Sequence, residues 1–240
     1  KEIAHPAIEA LFTIDEETGM TGALNLKPGQ LEGQILLNLD TEEDDEIDIG
    51  CAGGVDVTAT AKFDLENVSG ETIKIDIRGL RGGHSGMDIH KGYGNSNKLL
   101  GRFLFLGLEN HIQLISIDGG SLRNAIPREA HGIFSVDNAA DFLQKAEQLK
   151  NEILEEFASL EKDLVINIEK TPAEKKAVSF DNSRKIIFAV NAAHNGVFRM
   201  SPDVEGLVEA SNNVARVELK DGHIKILNLT RSSVESTKWE

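Results

Sequence analysis

From Gly54 onward the chain takes up a period of two, and this alternation constrains the fold more than any other feature. "GVDVTATAKF" and "ETIKIDIRGL" alternate apolar and polar residues, as antiparallel strands do when one face is packed and the other meets water. A glycine-rich loop, "GGHSGMDIHKGYGN", then opens onto "SNKLLGRFLFLGLE", which predicts a helix over 95–109. "IQLISIDGG" and "AIPREAHGIFSV" read as two further strands joined by a Gly-containing connection. "DFLQKAEQLKNEILEEFASLEKD" spaces its apolar residues at three and four, the stripe of an amphipathic helix, and "LVINIEKT" returns as a strand. The order β-α-β-β-α-β is that of a ferredoxin-like split βαβ layer.

The rest of the chain partly echoes that order. "DNSRKIIFAVNAAH" reads as helix, and "EASNNVARVELKDGHIKILNLTRSS" as a hairpin turning at Asp221 and Gly222. A fresh helix is expected near Ser232 or Ser233. The segment therefore predicts a second, incomplete ferredoxin-like repeat.

The first residues have another character. "IEALFTID" and "GQILLNLD" are apolar runs with little alternation, expected of parallel strands covered on both faces. "GMTGALNL" predicts a short helix stopped near Pro28 and Gly29. The acidic "TEEDDEID" lacks the glycine and the spaced ligands of an EF-hand and reads as a solvated loop. With no low-complexity linker, the change of period places a domain boundary near residue 60, giving 1–60 and 61–240.

A net charge of −15 argues against nucleic acid and anionic membrane as partners, because both need clustered Lys and Arg. No apolar run approaches the roughly 20 residues that span a bilayer. The single cysteine, Cys51, excludes an intrachain disulfide, fits a reducing compartment and is expected to be a buried structural thiol. The start at Lys1 rather than Met, with the first expected strand following almost at once, suggests an internal piece of a longer chain.

Both early apolar runs end in acids: Glu16 and Glu17 after the first, Asp40 after the second. In an open parallel sheet, ligands sit beyond the carboxyl ends of the strands, so these three residues would share one rim. Clustered carboxylates repel unless a cation or hydrogen bonds offset the charge, and zinc accepts such oxygens alongside His nitrogen. Of two adjacent Glu, one could hold a metal while the other moves a proton. An acidic turn on a solvated surface explains the same residues without chemistry. Likewise, His84 could simply cap the following helix, Asn124 shape a turn, and Arg231 be a surface charge. His5, His90, His111, His131, His194 and His223 show no ligand spacing.

Six blocks taken in order, "LFTIDEETGMTGA", "ILLNLDTEE", "IGCAGG", "GLRGGHSGMDIHKGYGNSNKLLGRFL", "GGSLRNAIPREA" and "NLTRSSVES", closely resemble the aminoacyl-histidine (Xaa-His) dipeptidases. These belong to the co-catalytic zinc metallopeptidases, with the carnosinases and carboxypeptidase G. The resemblance covers nearly the whole chain. It implies an α/β (α+β) fold in which the C-terminal part of a split zinc-peptidase domain precedes a ferredoxin-like lid and dimerisation domain.

The same resemblance implies Glu16 as general base, Glu17 and Asp40 as zinc ligands, and His84, Asn124 and Arg231 as substrate-binding residues. It implies two zinc ions per site, with cobalt or manganese as alternatives, and a cytoplasmic homodimer joined through the lid. The implied activity is hydrolysis of dipeptides, notably Xaa-His such as carnosine. The family's His-x-Asp segment, bridging Asp and C-terminal His have no counterpart among these 240 residues, so the piece alone is expected to be inactive. A dimerisation and substrate-binding module without chemistry, or a related zinc carboxypeptidase or deacylase, are the alternatives.

Overall fold

The computed structural model describes residues 3–39 and 51–239, apart from the side chains of residues 17 and 18. The chain divides into two compact units, Lys1–Ile49 and Gly50–Glu240.

Among the described residues of the first unit the regular structure is two single helical turns, α1 (Glu16–Gly19) and α2 (Thr21–Leu24). Of the runs expected as strands, residues 8–15 and 33–40, the described residues 8–15 and 33–39 form none. Phe12 is 91% exposed and Leu39 88%. A strand exists by pairing its backbone with a neighbour, and among the described residues neither run has one. The short helix expected before Pro28 is present as α2.

The second unit is built on β1 (Gly53–Lys62), β2 (Leu65–Asn67), β3 (Glu71–Arg78), β4 (Gly83–His84), α3 (Ser96–Leu106), β5 (Gln113–Gly119), β6 (Ala125–Ile126) and β7 (Ala130–Val136). It continues with α4 (Ala139–Glu156), β8 (Val165–Lys170), β9 (Lys176–Val178), α5 (Phe180–Ala192), β10 (Gly196–Met200), β11 (Val208–Lys220) and β12 (His223–Ser232). A 3₁₀ turn at Ser236–Trp239 stands where a fresh helix was expected.

The main sheet runs β1-β12-β11-β5-β7-β3-β8, with β10 also on β11. Its outer half, β5-β7-β3-β8, interleaved with α3 and α4, is the ferredoxin-like order that the β-α-β-β-α-β pattern predicts. The second half supplies α5, β10, β11 and β12, and borrows β1 from upstream. β1 therefore belongs to this unit, because all ten of its residues pair with β12.

Alternation fixes which face of the sheet is covered. On β3, Ile73, Ile75 and Ile77 are fully buried in one cluster with Leu99, Leu100, Phe103 and Phe142 from the helices. Lys74 and Asp76 point the other way, toward Glu169 and His131. Burying each such apolar side chain contributes about 1.5–3 kcal/mol.

The helices begin where their caps allow. Asn95 accepts from the backbone N–H of Asn97 and Lys98 at the start of α3, and Asn138 from that of Asp141 at α4. At the far end of α5, the Lys98 ammonium donates to the carbonyls of Val190, Asn191 and Ala193 at 2.8–2.9 Å. Burial lowers the Lys98 pKa. Cys51 is exposed, which corrects the expectation of a buried thiol: it lies just ahead of β1, outside the core.

Candidate functional site

The acidic turn of the first unit is closed on itself. The backbone N–H groups of Gly19 and Met20 donate to the Asp15 carbonyl, and Gly22 N–H donates to Ile14 O at 3.1 Å. A Cβ on Gly22 would fall 2.6 Å from Ile14 N, so only glycine lets the chain return this closely. Asp15 itself takes a left-handed conformation, and its carboxylate accepts from the Thr21 hydroxyl. Glu16 opens α1 with its side chain exposed; Glu17 follows in the same turn. Asp40 lies outside the described residues. Among the described residues, no group of three or more His, Cys, Asp or Glu is placed to hold a metal ion. The carboxylate chemistry of the turn suits a divalent cation, but these residues do not by themselves close a metal site.

The second unit gathers the other three residues. His84 lies on β4, which pairs with β6 so that His84 stands opposite Ala125. The next N–H, that of Ser85, donates to the Asn124 carbonyl at 2.7 Å. His84 Nδ1 accepts from the backbone N–H of Met87 at 3.1 Å and of Gly86 at 3.3 Å. With Nδ1 an acceptor, the neutral ring carries its proton on Nε2. The His84 N–H donates to Asp88 Oδ2 at 2.7 Å, and Lys91 donates to Oδ1 at 2.6 Å. The bond from Lys91, then that from the His84 backbone, holds the Asp88 carboxyl below its usual range. A side chain at Gly83 has no room: its Cβ would come within 2.7 Å of Asp88 Oδ2.

Arg231 reaches the same place from β12, where it pairs with Gly54 on one side and Ser211 on the other. The backbone of Gly86 lies between the two side chains. A Cβ there would stand 3.2 Å from His84 Cε1 and 3.3 Å from both Cδ and Nε of Arg231. Arg231 is half-buried, and its Nε is buried without a hydrogen-bond partner among the described residues. Burial, and then the neighbouring Arg123 charge, lowers its pKa, while Asp56 acts in the opposite sense.

Arg123 Nη1 donates to Asp56 Oδ2 at 2.6 Å. Asn124, half-buried, follows in a turn held from below, where the Asn213 amide donates to the carbonyls of Ala125 at 2.8 Å and Arg123 at 3.3 Å. His84, Asn124 and Arg231 are therefore brought together, with Arg123 beside them. With Arg123 paired to Asp56 and Lys91 to Asp88, the Arg231 guanidinium is the surplus positive charge, and beside the His84 imidazole it favours an anion, above all a planar carboxylate.

Arg123, Asp56, Asp88 and Gly86 complete the site without having been singled out from the sequence. Arg123 adjoins Asn124 in "SLRNAIP", a signal that was present. Asp56 meets Arg123 from 67 positions away, which no local pattern records.

Residues 75–164 match the family described as a peptidase dimerisation domain. The whole chain is similar to the cytosol non-specific dipeptidase of Escherichia coli (strain K12), 42% identical over 245 residues, with 99% of this chain and 50% of the relative covered. Among solved structures, the aminoacylhistidine dipeptidase of Vibrio alginolyticus is similar at a TM-score of 0.80 and 40% identity. The match covers 94% of this chain and 47% of that one. The chain thus spans about half the length of the relatives it matches. The resemblance to the dipeptidases holds along nearly the whole sequence, and the mixed α/β architecture agrees with it.

Proposed function

We propose, from this likeness to the dipeptidases, that the chain forms part of a zinc-dependent dipeptidase whose lid site grips the free C-terminal end of a dipeptide. One observation carries the reading: Arg231, whose buried Nε has no hydrogen-bond partner among the described residues, stands across Gly86 from His84 and beside Arg123. A buried guanidinium nitrogen without a partner favours a ligand that accepts from it. In this proposal Arg231 and Asn124 hold the terminal carboxylate, and His84, through Nε2–H, steadies the oxygen of the scissile carbonyl as it gains charge. Glu16 takes a proton from the attacking water and delivers it to the leaving amine as the C–N bond breaks.

Glu17 and Asp40 are the proposed zinc ligands of this chain, supported by the motif resemblance alone, with cobalt or manganese as alternative metals. When bound, such a metal polarises a carbonyl and makes water more acidic. Xaa-His dipeptides such as carnosine are the proposed substrates, in the cytoplasm. The proposed domain roles are a partial catalytic part up to about residue 60 and the lid beyond it.

The test is hydrolysis by a full-length dipeptidase containing this chain. Free β-Ala-His should be cleaved at least about 100-fold faster than its C-terminal amide, because the site is built around a carboxylate. Equal cleavage of both ends the reading. Preferred cleavage of acylated amino acids would point to a deacylase instead. Full activity in a Glu16→Ala variant removes Glu16 from the base role.

The dimerisation-domain match favours a second role, that of joining two copies. Among the described residues the outer strand β8 leaves one edge of the sheet unpaired, and such an edge can accept a twin across a twofold axis. Light scattering that finds a strict monomer at high concentration counts against it. No described helix is long and apolar enough to cross a membrane. Neither membrane nor nucleic acid is proposed as a partner.

A further inference from the structure

We propose that Glu161, remote from the candidate site in sequence and never touching its ligand, is the positioning residue for His84. Glu161 follows α4 and is only 4% exposed, an unusual place for a carboxylate. Both of its oxygens are occupied by backbone N–H groups. Oε2 accepts from Arg81 at 2.6 Å, and Oε1 accepts from Gly94 at 2.7 Å. Those two residues are the two ends of the excursion 82–93 that carries His84, Gly86 and Asp88. One carboxylate therefore closes the base of the loop like a clasp.

Several neighbours make the closure specific. The guanidinium of Arg81 lies over the Tyr93 ring, 4.8 Å from its centroid, so the residues next to the clasp also meet. Gly94 approaches so closely that a Cβ would come within 2.7 Å of Leu80 Cδ2 and 3.5 Å of Glu161 Oε1. Glu161 is itself anchored: its N–H donates to Phe157 O at 2.8 Å, and its carbonyl accepts from Leu164 at 3.1 Å. The clasp thus transmits the rigid end of α4 and the start of β8 to a loop rich in glycine. Such a loop holds an imidazole to the tolerance catalysis needs only if its ends are fixed.

A carboxylate suits this task where an amide does not. It offers acceptors on both oxygens, whereas glutamine turns one into a donor facing a backbone N–H. Hydrogen bonds from backbone N–H to a charged acceptor are also the stronger kind. Glu161→Gln keeps the size and removes half the clasp. Glu161→Asp keeps the charge but is one methylene too short to span both amides.

The inference rests on the dipeptidase reading for its activity readout alone. The experiment compares wild type, Glu161→Gln, Glu161→Asp and the surface control Glu155→Gln in a full-length dipeptidase containing this chain. Amide hydrogen exchange and β-Ala-His kinetics are measured on each. Both Glu161 variants should exchange faster by about tenfold or more across 81–94, with β7 unchanged, because local opening is separable from global unfolding.

The value of kcat should fall about tenfold with KM changed less than about twofold, since Arg231 still holds the carboxylate. The Glu155 control should match wild type. Unchanged exchange over 81–94, or exchange raised equally in β7, overturns the positioning role, and so does a parallel change in KM with kcat constant. If Glu161→Gln fails to fold, Glu161→Asp decides by the same readouts. A wild-type protein that cleaves no dipeptide overturns the reading of the site, while the exchange result still decides the clasp.

Discussion

The backbone of Gly86 runs directly against the side chain of Arg231, so that a methyl group on this glycine would stand 3.3 Å from Arg231 Nε. The same methyl would meet the His84 ring at 3.2 Å. The absence of a side chain is what lets an arginine from β12 and a histidine from β4 act on one ligand. Gly86→Ala is therefore expected to spread the two apart by a few tenths of an ångström and to raise KM for β-Ala-His several-fold, up to about tenfold. The melting temperature should hardly move, because Gly86 has no left-handed conformation to lose. Steady-state kinetics beside a thermal melt separate the two effects.

The Asp88 carboxylate ties Lys91 to the His84 backbone, and its pKa lies below the ordinary 3.8 for those reasons, the Lys91 bond first. A carboxyl with a depressed folded-state value contributes stability that is complete above its unfolded pKa. That stability is lost as pH falls through the folded one. Hydrogen exchange in 82–93 is thus expected to be independent of this group from neutral pH down to about 5. Below 3.8 the loop should open progressively. Asp88→Asn should show a looser loop at neutral pH and no further change from this group in acid.

The hairpin of β11 and β12 turns at Asp221 and Gly222, with φ of 49° and 76°. Both values are left-handed, the geometry that an Asp-Gly pair supplies in a two-residue turn. At Gly222 a Cβ would also lie 2.2 Å from the Phe63 carbonyl oxygen, and the Gly222 carbonyl accepts from Phe63 N–H at 2.8 Å. Gly222→Ala is expected to cost about 2 kcal/mol or more, since strain and a backbone clash combine. The midpoint of urea unfolding measures it.

Within the sheet, what could be read in advance was what local periodicity records. The alternation of Ile73, Ile75 and Ile77, the stripe of α4 and the Asp221–Gly222 turn each carry their structure in a few neighbouring residues. The helix expected over 95–109 appears as α3 with Asn95 as its cap, followed by a 3₁₀ turn over Gly107–Asn110. Residues 8–15 and 33–39 show the limit, because an apolar run becomes a strand only beside a partner. β1 shows another limit: its place in the sheet depends on β12, more than 160 positions later. His84, Asn124 and Arg231 were named from motif resemblance, and their convergence depends on Gly86, Arg123 and Asn213. These are contacts of tertiary origin, and no spacing along the chain encodes them.

Arg231 is the residue on which the carboxylate reading bears most directly. Its guanidinium keeps a proton although burial and Arg123 both lower its pKa, because an arginine side chain is effectively always protonated. Lysine at the same place would bring a single ammonium instead of a planar fork and could not reproduce a two-point grip on a carboxylate. Arg231→Lys is expected to raise KM for β-Ala-His about 30-fold, on the order of 2 kcal/mol, with a smaller change in kcat. A further difference should appear with pH. Burial and a neighbouring positive charge lower a lysine pKa far enough to titrate in the working range. KM of the variant should therefore climb as pH rises from 7 toward 10, since the neutral amine no longer attracts the carboxylate. The wild-type KM should show no such rise from this group, because its guanidinium stays charged. A variant whose KM matches wild type at every pH would place the substrate carboxylate elsewhere.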